Sequence, residues 1–290
     1  MKARTIVLYT DHADPVARRA ARSGADLLHL DDLLPRVRAG SWPAVLDFEP
    51  SAEMRERFIG ARVVNRVFSL ANTHMDGFLS DSGIDARWLH IRLQSLLDSA
   101  ASVCHDTGVR GVSRTLMPLN VQWFELKRVL ADIQTPDFVY SIGYEAPDLR
   151  GLVDPLQKSV WSLFDWKQER NLLPEEKRRH QFFVSRPQGI PLVAYFCGET
   201  AHGVHFPRGE TVPFDLERVR AINQAARRAF RSETGELLLF AEGGQLRFHA
   251  FSPYLLSVAE EPAMVDMLDK WLAADDSSCG SNDARHALVH

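Results

Sequence analysis

Apolar residues along this chain come in short bursts whose spacing alternates between continuous runs and a period near 3.6, and each change of spacing marks an element. Thr5-Ile6-Val7-Leu8-Tyr9 is a β-branched, continuous run and predicts a buried strand. Asp11, His12 and Asp14-Pro15 follow as a turn, after which Val16, Ala17, Ala20 and Ala21 fall on one helical face that Gly24 closes. Asp26-Leu27-Leu28-His29-Leu30 predicts the next strand, so the opening reads as a βαβ unit of a small parallel sheet. A second helix is expected from Asp31 to Ala39, and Ala44–Phe48 and Ala61–Arg66 supply two more strands.

From Asp85 to about Cys104, Trp88, Leu89, Ile91, Leu93, Leu96 and Leu97 lie opposite Arg87, Arg92, Gln94 and Asp98, which predicts an amphipathic linking helix. Asn120 to Ile133 predicts another, with Phe124, Leu126, Val129 and Leu130 inward, broken by Thr135-Pro136 before a strand from Phe138 to Ile142. Glu145–Lys158 is turn-rich and Asp165–Arg179 is charged and contains Pro174, so the middle reads as a small, mobile subdomain. Gln181–Val184 and Pro191–Gly198 flank Pro187-Gln188-Gly189 and predict an antiparallel pair. A helix over Leu216–Phe230 follows, then a hairpin of Glu236–Phe240 and Gln245–Ala250 across Glu242-Gly243-Gly244, then a helix over Pro262–Ala273. Beyond it, 275–290 opens with Ser, Asp and Gly and no apolar pattern, which predicts a disordered tail. The pattern contains no internal repeat.

Composition narrows the class. At 290 residues, 45% hydrophobic and 25% charged, the chain is globular and long enough for two or three layers around a cleft. A net charge of -4 from 34 basic and 38 acidic residues gives no global field toward nucleic acid or an anionic membrane. Arg18, Arg19 and Arg22, like Lys177, Arg178 and Arg179, read as solvated helix faces or, alternatively, as local patches that bind phosphate or an acidic peptide. Cys104, Cys197 and Cys279 are widely spaced with no CxxC, so neither a zinc knuckle nor a disulfide framework is indicated and reduced cytosol is the expected compartment. No apolar stretch approaches a membrane span, and no GxGxxG implies a dinucleotide. The expectation is a soluble, cytoplasmic α/β protein.

Four stretches then point to a family. Val63-Val64-Asn65-Arg66 looks like a strand that closes a first domain, and Asn120-Val121-Gln122-Trp123 leads through a helix to Thr135-Pro136-Asp137-Phe138-Val139. Gln181-Phe182-Phe183-Val184 with Leu192 to Gly198 is similar to an adenine hinge and its following strand. Glu236 to Pro253, with the helix to Trp271-Leu272, has the shape of a hairpin whose second strand ends in Glu-x-Asn-Pro. Together these resemble the ATP-grasp ligases, over Thr5 to Leu272, and most closely the subgroup that modifies ribosomally made peptides or adds glutamate to a ribosomal protein. The resemblance implies a small parallel-sheet amino-terminal domain over 1–112, a central lid subdomain over 113–184 and an antiparallel-sheet carboxy-terminal domain over 185–274. It also implies an enzyme that phosphorylates a carboxylate with ATP and lets an amine displace the phosphate, with homodimers common in the family.

Such chemistry needs cations on the phosphates and oxygen ligands on Mg²⁺. Where the family places a lysine after Asn120, this chain has Val121, and where a second lysine precedes Pro155 it has Asp154. The glycine-rich flap corresponds to Lys158-Ser159-Val160-Trp161-Ser162-Leu163-Phe164, and a family arginine aligns with Val193. Glu-x-Asn falls on His249-Ala250-Phe251, or on Ala250-Phe251-Ser252 if Pro253 sets the register. Glu236 or Glu242 stands for the first acidic metal ligand, and Arg66 and Gln181 line the pocket that the resemblance implies.

Other residues carry their own chemistry. His12, beside Asp11 and Asp14 at a strand's carboxyl end, reads either as a substrate contact or as part of a polar loop. His202 and His205 with Glu199 and Glu210 have spacing suited to a metal or to an exposed polar turn. His249 reads as lining the former ATP pocket or as a locally satisfied core histidine. Cys104 and His105, adjacent on the expected helix, point apart and make a poor nucleophile pair. Trp161, Phe164 and Trp166 either cap a pocket or pack as core. Two functions follow. One is a non-catalytic accessory protein without cofactor that binds a peptide or an active ATP-grasp ligase; the other is an active ligase that holds ATP and Mg through Lys127, Lys158 or Lys167 and Glu236 or Glu242.

Overall fold

A computed structural model of the chain describes residues 4–33, 51–68, 93–105, 117–141, 147–159, 162–168, 171–175 and 181–274. The amino-terminal run forms β1 (Thr5–Tyr9), with Ile6, Val7 and Leu8 fully buried. Asp14 caps α1 (Pro15–Ser23) by accepting from the Ala17 amide at 2.9 Å, and Gly24 ends it at φ 77°. β2 (Asp26–His29) and β3 (Arg62–Arg66) flank β1 in parallel, and β4 (Ser102–Cys104) completes the order β2-β1-β3-β4. The helix α2 (Ala52–Phe58) lays Phe58 into this core. Both faces of a parallel sheet are covered, so every residue of β3 is buried, Arg62, Asn65 and Arg66 included.

The linking helix expected to reach Cys104 stops earlier. Residues 93–97 are helical, but the Ala101 amide donates to the Ala61 carbonyl at 2.9 Å and draws the following residues into β4 beside β3. Only a 3-10 turn, Leu30–Leu33, is described at the start of the helix expected from Asp31. The rest of that helix, the strand expected at 44–48, the segment 85–92, Ile142, Trp161 and the tail from 275 lie outside the described residues.

Next comes α3 (Leu119–Val129), which buries Leu119, Gln122, Trp123 and Leu126. Phe124 and Val129, expected inward, are 63% and 40% exposed. The helix is turned because hydrogen bonds dock it: Gln122 donates to the Phe251 carbonyl at 3.1 Å and accepts from the Phe251 amide at 2.7 Å, and Trp123 Nε1 donates to the His249 carbonyl at 2.9 Å. Buried polar groups that are fully paired set the face here, ahead of hydrophobic period.

The middle segment, expected to be loose, carries short strands. β5 (Phe138–Tyr140), β6 (Leu156–Lys158), β7 (Trp166–Gln168) and β8 (Phe182–Val184) form an antiparallel lid sheet in the order β5-β8-β6-β7. The expected pairing of Gln181–Val184 with Pro191–Gly198 is not made. Past β8, the Ser185 amide donates to the Asp137 carbonyl at 3.0 Å and the Arg186 amide to the Val153 carbonyl at 2.9 Å, which keeps the chain on the lid sheet. It then crosses to a second sheet at Gly189, whose φ is 91° and where a Cβ would stand 2.3 Å from the Ala241 carbonyl oxygen.

That sheet has the order β10-β9-β11-β12, from β9 (Ile190–Cys197), β10 (Ala201–His205), β11 (Thr234–Glu242) and β12 (Gln245–Ser252). On one face α4 (Leu216–Phe230) packs Val219, Ile222, Ala226 and Phe230 against Phe196, Phe248 and Phe251. The Phe230 and Phe251 rings stack at 4.4 Å, and truncating Phe230 there would cost about 3–5 kcal/mol. The other face is shared. At the Tyr195–Cys197 end it meets α1 and α5 (Pro262–Ala273), and at the Phe240–His249 end it meets Trp166 of the lid.

Candidate functional site

Cross-strand partners in an antiparallel sheet share a face, so the shared face can be read in rows. Tyr195, Glu236 and Ser252 form one row, Val193, Leu238 and Ala250 the next, and Pro191, Phe240 and Arg247 a third. A bulge between Leu238 and Leu239 leaves His249 as the extra residue on β12. Phe251 points the other way, into the α4 core. The register set by Pro253 is therefore the structural one: Ala250 and Ser252 stand beside Glu236, and His249 lies further along, toward the lid.

At the Glu236 end, the carboxylate is 1% exposed and accepts from the Ser257 amide at 2.9 Å, with the Ser257 and Ser252 hydroxyls also in bonding range. Burial raises its pKa to about 7, against the pull of those hydrogen bonds. Nearby, Arg66 is fixed by a bidentate pair to Asp14, at 2.7 Å for Nη2–Oδ2, and donates to the Pro253 carbonyl at 2.8 Å and to Thr234 Oγ1 at 3.2 Å. Its guanidinium lies 4.5 Å above the Phe68 ring. Arg66 thus ties β3 to the end of β12 and is engaged on every side. His105 sits behind it, with Nδ1 3.0 Å from the Asn65 carbonyl; burial first, then the Arg66 charge, hold its pKa well below the ordinary range.

At the lid end, His249 is fully buried, its ring 5.0 Å from Phe240 and 5.9 Å from Trp166. Burial lowers its pKa to about 3, with the charges of Lys158 and Arg247 adding to the effect, so the imidazole is neutral. Among the described residues neither of its ring nitrogens, nor Trp166 Nε1, has a hydrogen-bond partner, an arrangement that costs about 1–3 kcal/mol per group. Lys158 is buried with its Nζ 5.2 Å from the Trp166 ring centroid, donating to the Ser162 and Ser159 carbonyls. Burial lowers its pKa to about 8. A cleft of about 540 Å³ opens beside His249, lined among others by Lys127, Gln134, Asp137, Arg186 and Arg247.

The remaining expected residues fall apart in space. Asp154, exposed and at φ 45°, pairs with Arg186 on the cleft wall. Gln181 is buried and spends its backbone on Ser141. Glu242 is exposed at the hairpin end of β11, six residues or roughly 20 Å along the strand from Glu236, so the two do not share a site. His12 is exposed after β1 with its ring stacked 4.8 Å from His29. His202 Nε2 lies 3.0 Å from the Glu199 carbonyl, whereas His205 pairs with Glu261 at 2.9 Å and not with Glu210. Among the described residues, no three His, Cys, Asp or Glu side chains group to hold a metal. Cys104 is in a strand, not a helix, and Cys197 is a free, buried thiol. Among the described residues no helix is long and apolar enough to cross a membrane.

The residues missed in sequence are the partners: Asp14 for Arg66, Ser257 for Glu236, and Phe240 for His249. Ser252, named through the Pro253 register, is the one partner the sequence did offer.

No family model matches the sequence, and no curated protein matches it. Solved structures do. The ligase PsnB, in complex with precursor peptide PsnA2 and AMPPNP, superposes with a TM-score of 0.60 at 13% identity, covering 94% of this chain and 98% of that one. Macrocyclase MdnC from Microcystis aeruginosa MRC, bound with precursor peptide MdnA, gives 0.54 at 10% identity over 92% of this chain and 98% of its own. A RimK domain ATP-grasp protein from Sphaerobacter thermophilus DSM 20745 gives 0.53 at 13% identity over 93% of this chain and all 100% of its own. With its parallel sheet, lid sheet and antiparallel sheet in this order, the chain has the fold of the ATP-grasp ligases.

Proposed function

We propose that this chain is a peptide-recognising protein that works without nucleotide, as an accessory to peptide or amino-acid modification. The observation that carries the reading is the packing between lid and sheet: Trp166 and Phe240 close on a neutral, fully buried His249. Triphosphate chemistry asks for cations and carboxylate-held Mg²⁺ in such a space. Here the face offers aromatic carbon, an uncharged imidazole, Ala250 and Ser252, and a Glu236 turned to serine donors. These residues do not fit Mg-ATP. Peptide recognition is supported by the fold neighbours solved with precursor peptides, PsnB and MdnC.

A second reading, an active carboxylate-amine ligase with substituted ligands, is favoured by Lys158, a buried cation beside the same packing. Thermal unfolding with Mg-ATP, Mg-ADP and Mg-GTP separates the two. A nucleotide at about 100 times its Kd would add about 2.7 kcal/mol of stability. The accessory reading expects no shift at millimolar nucleotide, and a saturable rise that Lys158→Ala weakens would overturn it in favour of the ligase.

A further inference from the structure

The edge strand β10 carries a histidine whose hydrogen bonds run in one direction only. His202 faces α4, whereas His205 faces the other side of the sheet and pairs with Glu261 ahead of α5. His202 Nε2 lies 3.0 Å from the Glu199 carbonyl oxygen and its Nδ1 lies 3.4 Å from Asn223 Nδ2, which in turn stands 3.1 Å from the Tyr195 carbonyl oxygen. A carbonyl oxygen accepts and cannot donate, so both ends of this chain of bonds are acceptors. Nε2 must therefore carry the imidazole proton, and Asn223 must turn its nitrogen toward Tyr195. One N–H of Asn223 goes to the Tyr195 carbonyl and the other to the lone pair on His202 Nδ1. A second proton on the ring would sit on Nδ1 and point at an N–H. Asn223 cannot answer by flipping, because it is fully buried and its own oxygen would then stand against the Tyr195 oxygen.

We propose that His202 is a proton-operated catch on β10: the neutral ring joins the edge strand to α4 through Asn223, and the protonated ring leaves Asn223 and loosens the strand. The charged groups that face the ring do not favour its protonated form. They are Arg220 of α4, with its partner Glu217, and Glu199 in the turn before β10, which gives the ring only its carbonyl. Its cross-strand neighbour on β9, Phe196, is uncharged. Burial first, and Arg220 in addition, lower the pKa of His202 from the ordinary 6.5, against the pull of the Glu199 carbonyl. The held ring thus takes a proton less readily than the released one, so the catch is fully set above pH 6.5 and gives way as pH falls below it. β10 is suited to respond, because it is paired on one side only and is half-buried along its whole length. The catch is independent of what the lid or the cleft beside His249 holds.

The test follows the side-chain nitrogens of His202 and Asn223 in the intact chain by NMR as pH is lowered, together with hydrogen exchange of the β10 and β11 amides corrected for its intrinsic pH dependence. His202→Gln identifies the ring signal, keeps an oxygen to accept from Asn223 and does not titrate; the site is half-buried, so the change opens no core cavity. The wild-type titration stands by itself if that variant does not fold. The expected result is an Nε2–H ring at pH 7.5 that titrates below 6.5, with the Asn223 amide signals moving at the same midpoint. Opening of β10 should rise by up to about thirtyfold between pH 7.5 and pH 5, while β11 stays protected and His202→Gln removes the change. An Nδ1–H ring at pH 7.5, a midpoint at or above 6.5, or β10 exchange that does not follow the ring overturns the proposal. So does a pH response that survives in His202→Gln and disappears in His205→Gln, since it would assign the effect to the Glu261 pair on the opposite side.

Discussion

Glu236→Gln tests the electrostatics of the sheet face directly. The wild-type carboxyl is held at about 7 in the fold against an ordinary 4.5, which corresponds to about 3 kcal/mol. The folded protein holds this proton more tightly than the unfolded chain does. Folding is therefore unopposed by Glu236 below pH 4.5, opposed progressively as pH rises from 4.5 to 7, and opposed by the full amount above that. Glutamine has the same shape, keeps an oxygen for the Ser257 amide, and turns its NH₂ toward the serine hydroxyls. The variant is expected to match wild type near pH 4.5 and to exceed it at pH 8 by about 3 kcal/mol, or roughly 5–8 °C in Tm. Thermal and urea unfolding at both pH values, followed by circular dichroism, gives the comparison. An equal gain at both pH values would mean that packing, not charge, is responsible, and a loss at pH 8 would refute the argument.

Further substitutions probe other buried polar groups. His249→Phe removes a ring that stays neutral in the fold down to about 3 while the unfolded imidazole protonates below 6.5, so wild type loses stability as pH falls through 6.5. The variant's stability in urea should gain on wild type by about 2 kcal/mol more at pH 5 than at pH 7.5; a pH-independent difference would show that the histidine is solvated as in the unfolded chain. Arg66→Met leaves Asp14 buried without its cation and should cost about 3–5 kcal/mol, part of which Asp14→Asn restores in the double variant because Asn still caps α1. Strict additivity of the two single changes would contradict the pairing.

Local signals were read well because they act locally. The helix Leu216–Phe230 follows from its own apolar stripe and from Asp215, whose side chain accepts from the Glu217 amide at 2.9 Å, and Gly243 and Gly244 at φ 56° and 81° mark the hairpin. Choice of partner is not local. Pro187-Gln188-Gly189 has the composition of a hairpin turn, yet the backbone bonds of Ser185 and Arg186 commit the preceding strand to β5 and β6. The three-residue strands β6 and β7 alternate too briefly to show a period. Gln122 took the place expected of Phe124 because its value lies in three hydrogen bonds, one to nearby Met117 and two to distant Phe251, which no hydropathy pattern records. In the candidate site, His249 and Glu236 were visible as unusual residues on core strands. Their separation along the face was not, since it depends on one bulge and on Phe251 turning into the α4 core.

Trp166 gives the lid a tethered occupant. A diffusing ligand fills a cleft in proportion to its supply, whereas an indole attached to the wall has an effective concentration fixed by the chain itself, in the millimolar range or above for short connections. In the nucleotide-free function proposed above, the gap between β7 and β12 is filled at every metabolite level, and its state carries no information about any small molecule in solution. A competitor must first displace apolar surface worth about 25 cal/mol per Å² of contact. In that reading the competitor is something that lays down comparable area, such as an extended segment of another chain.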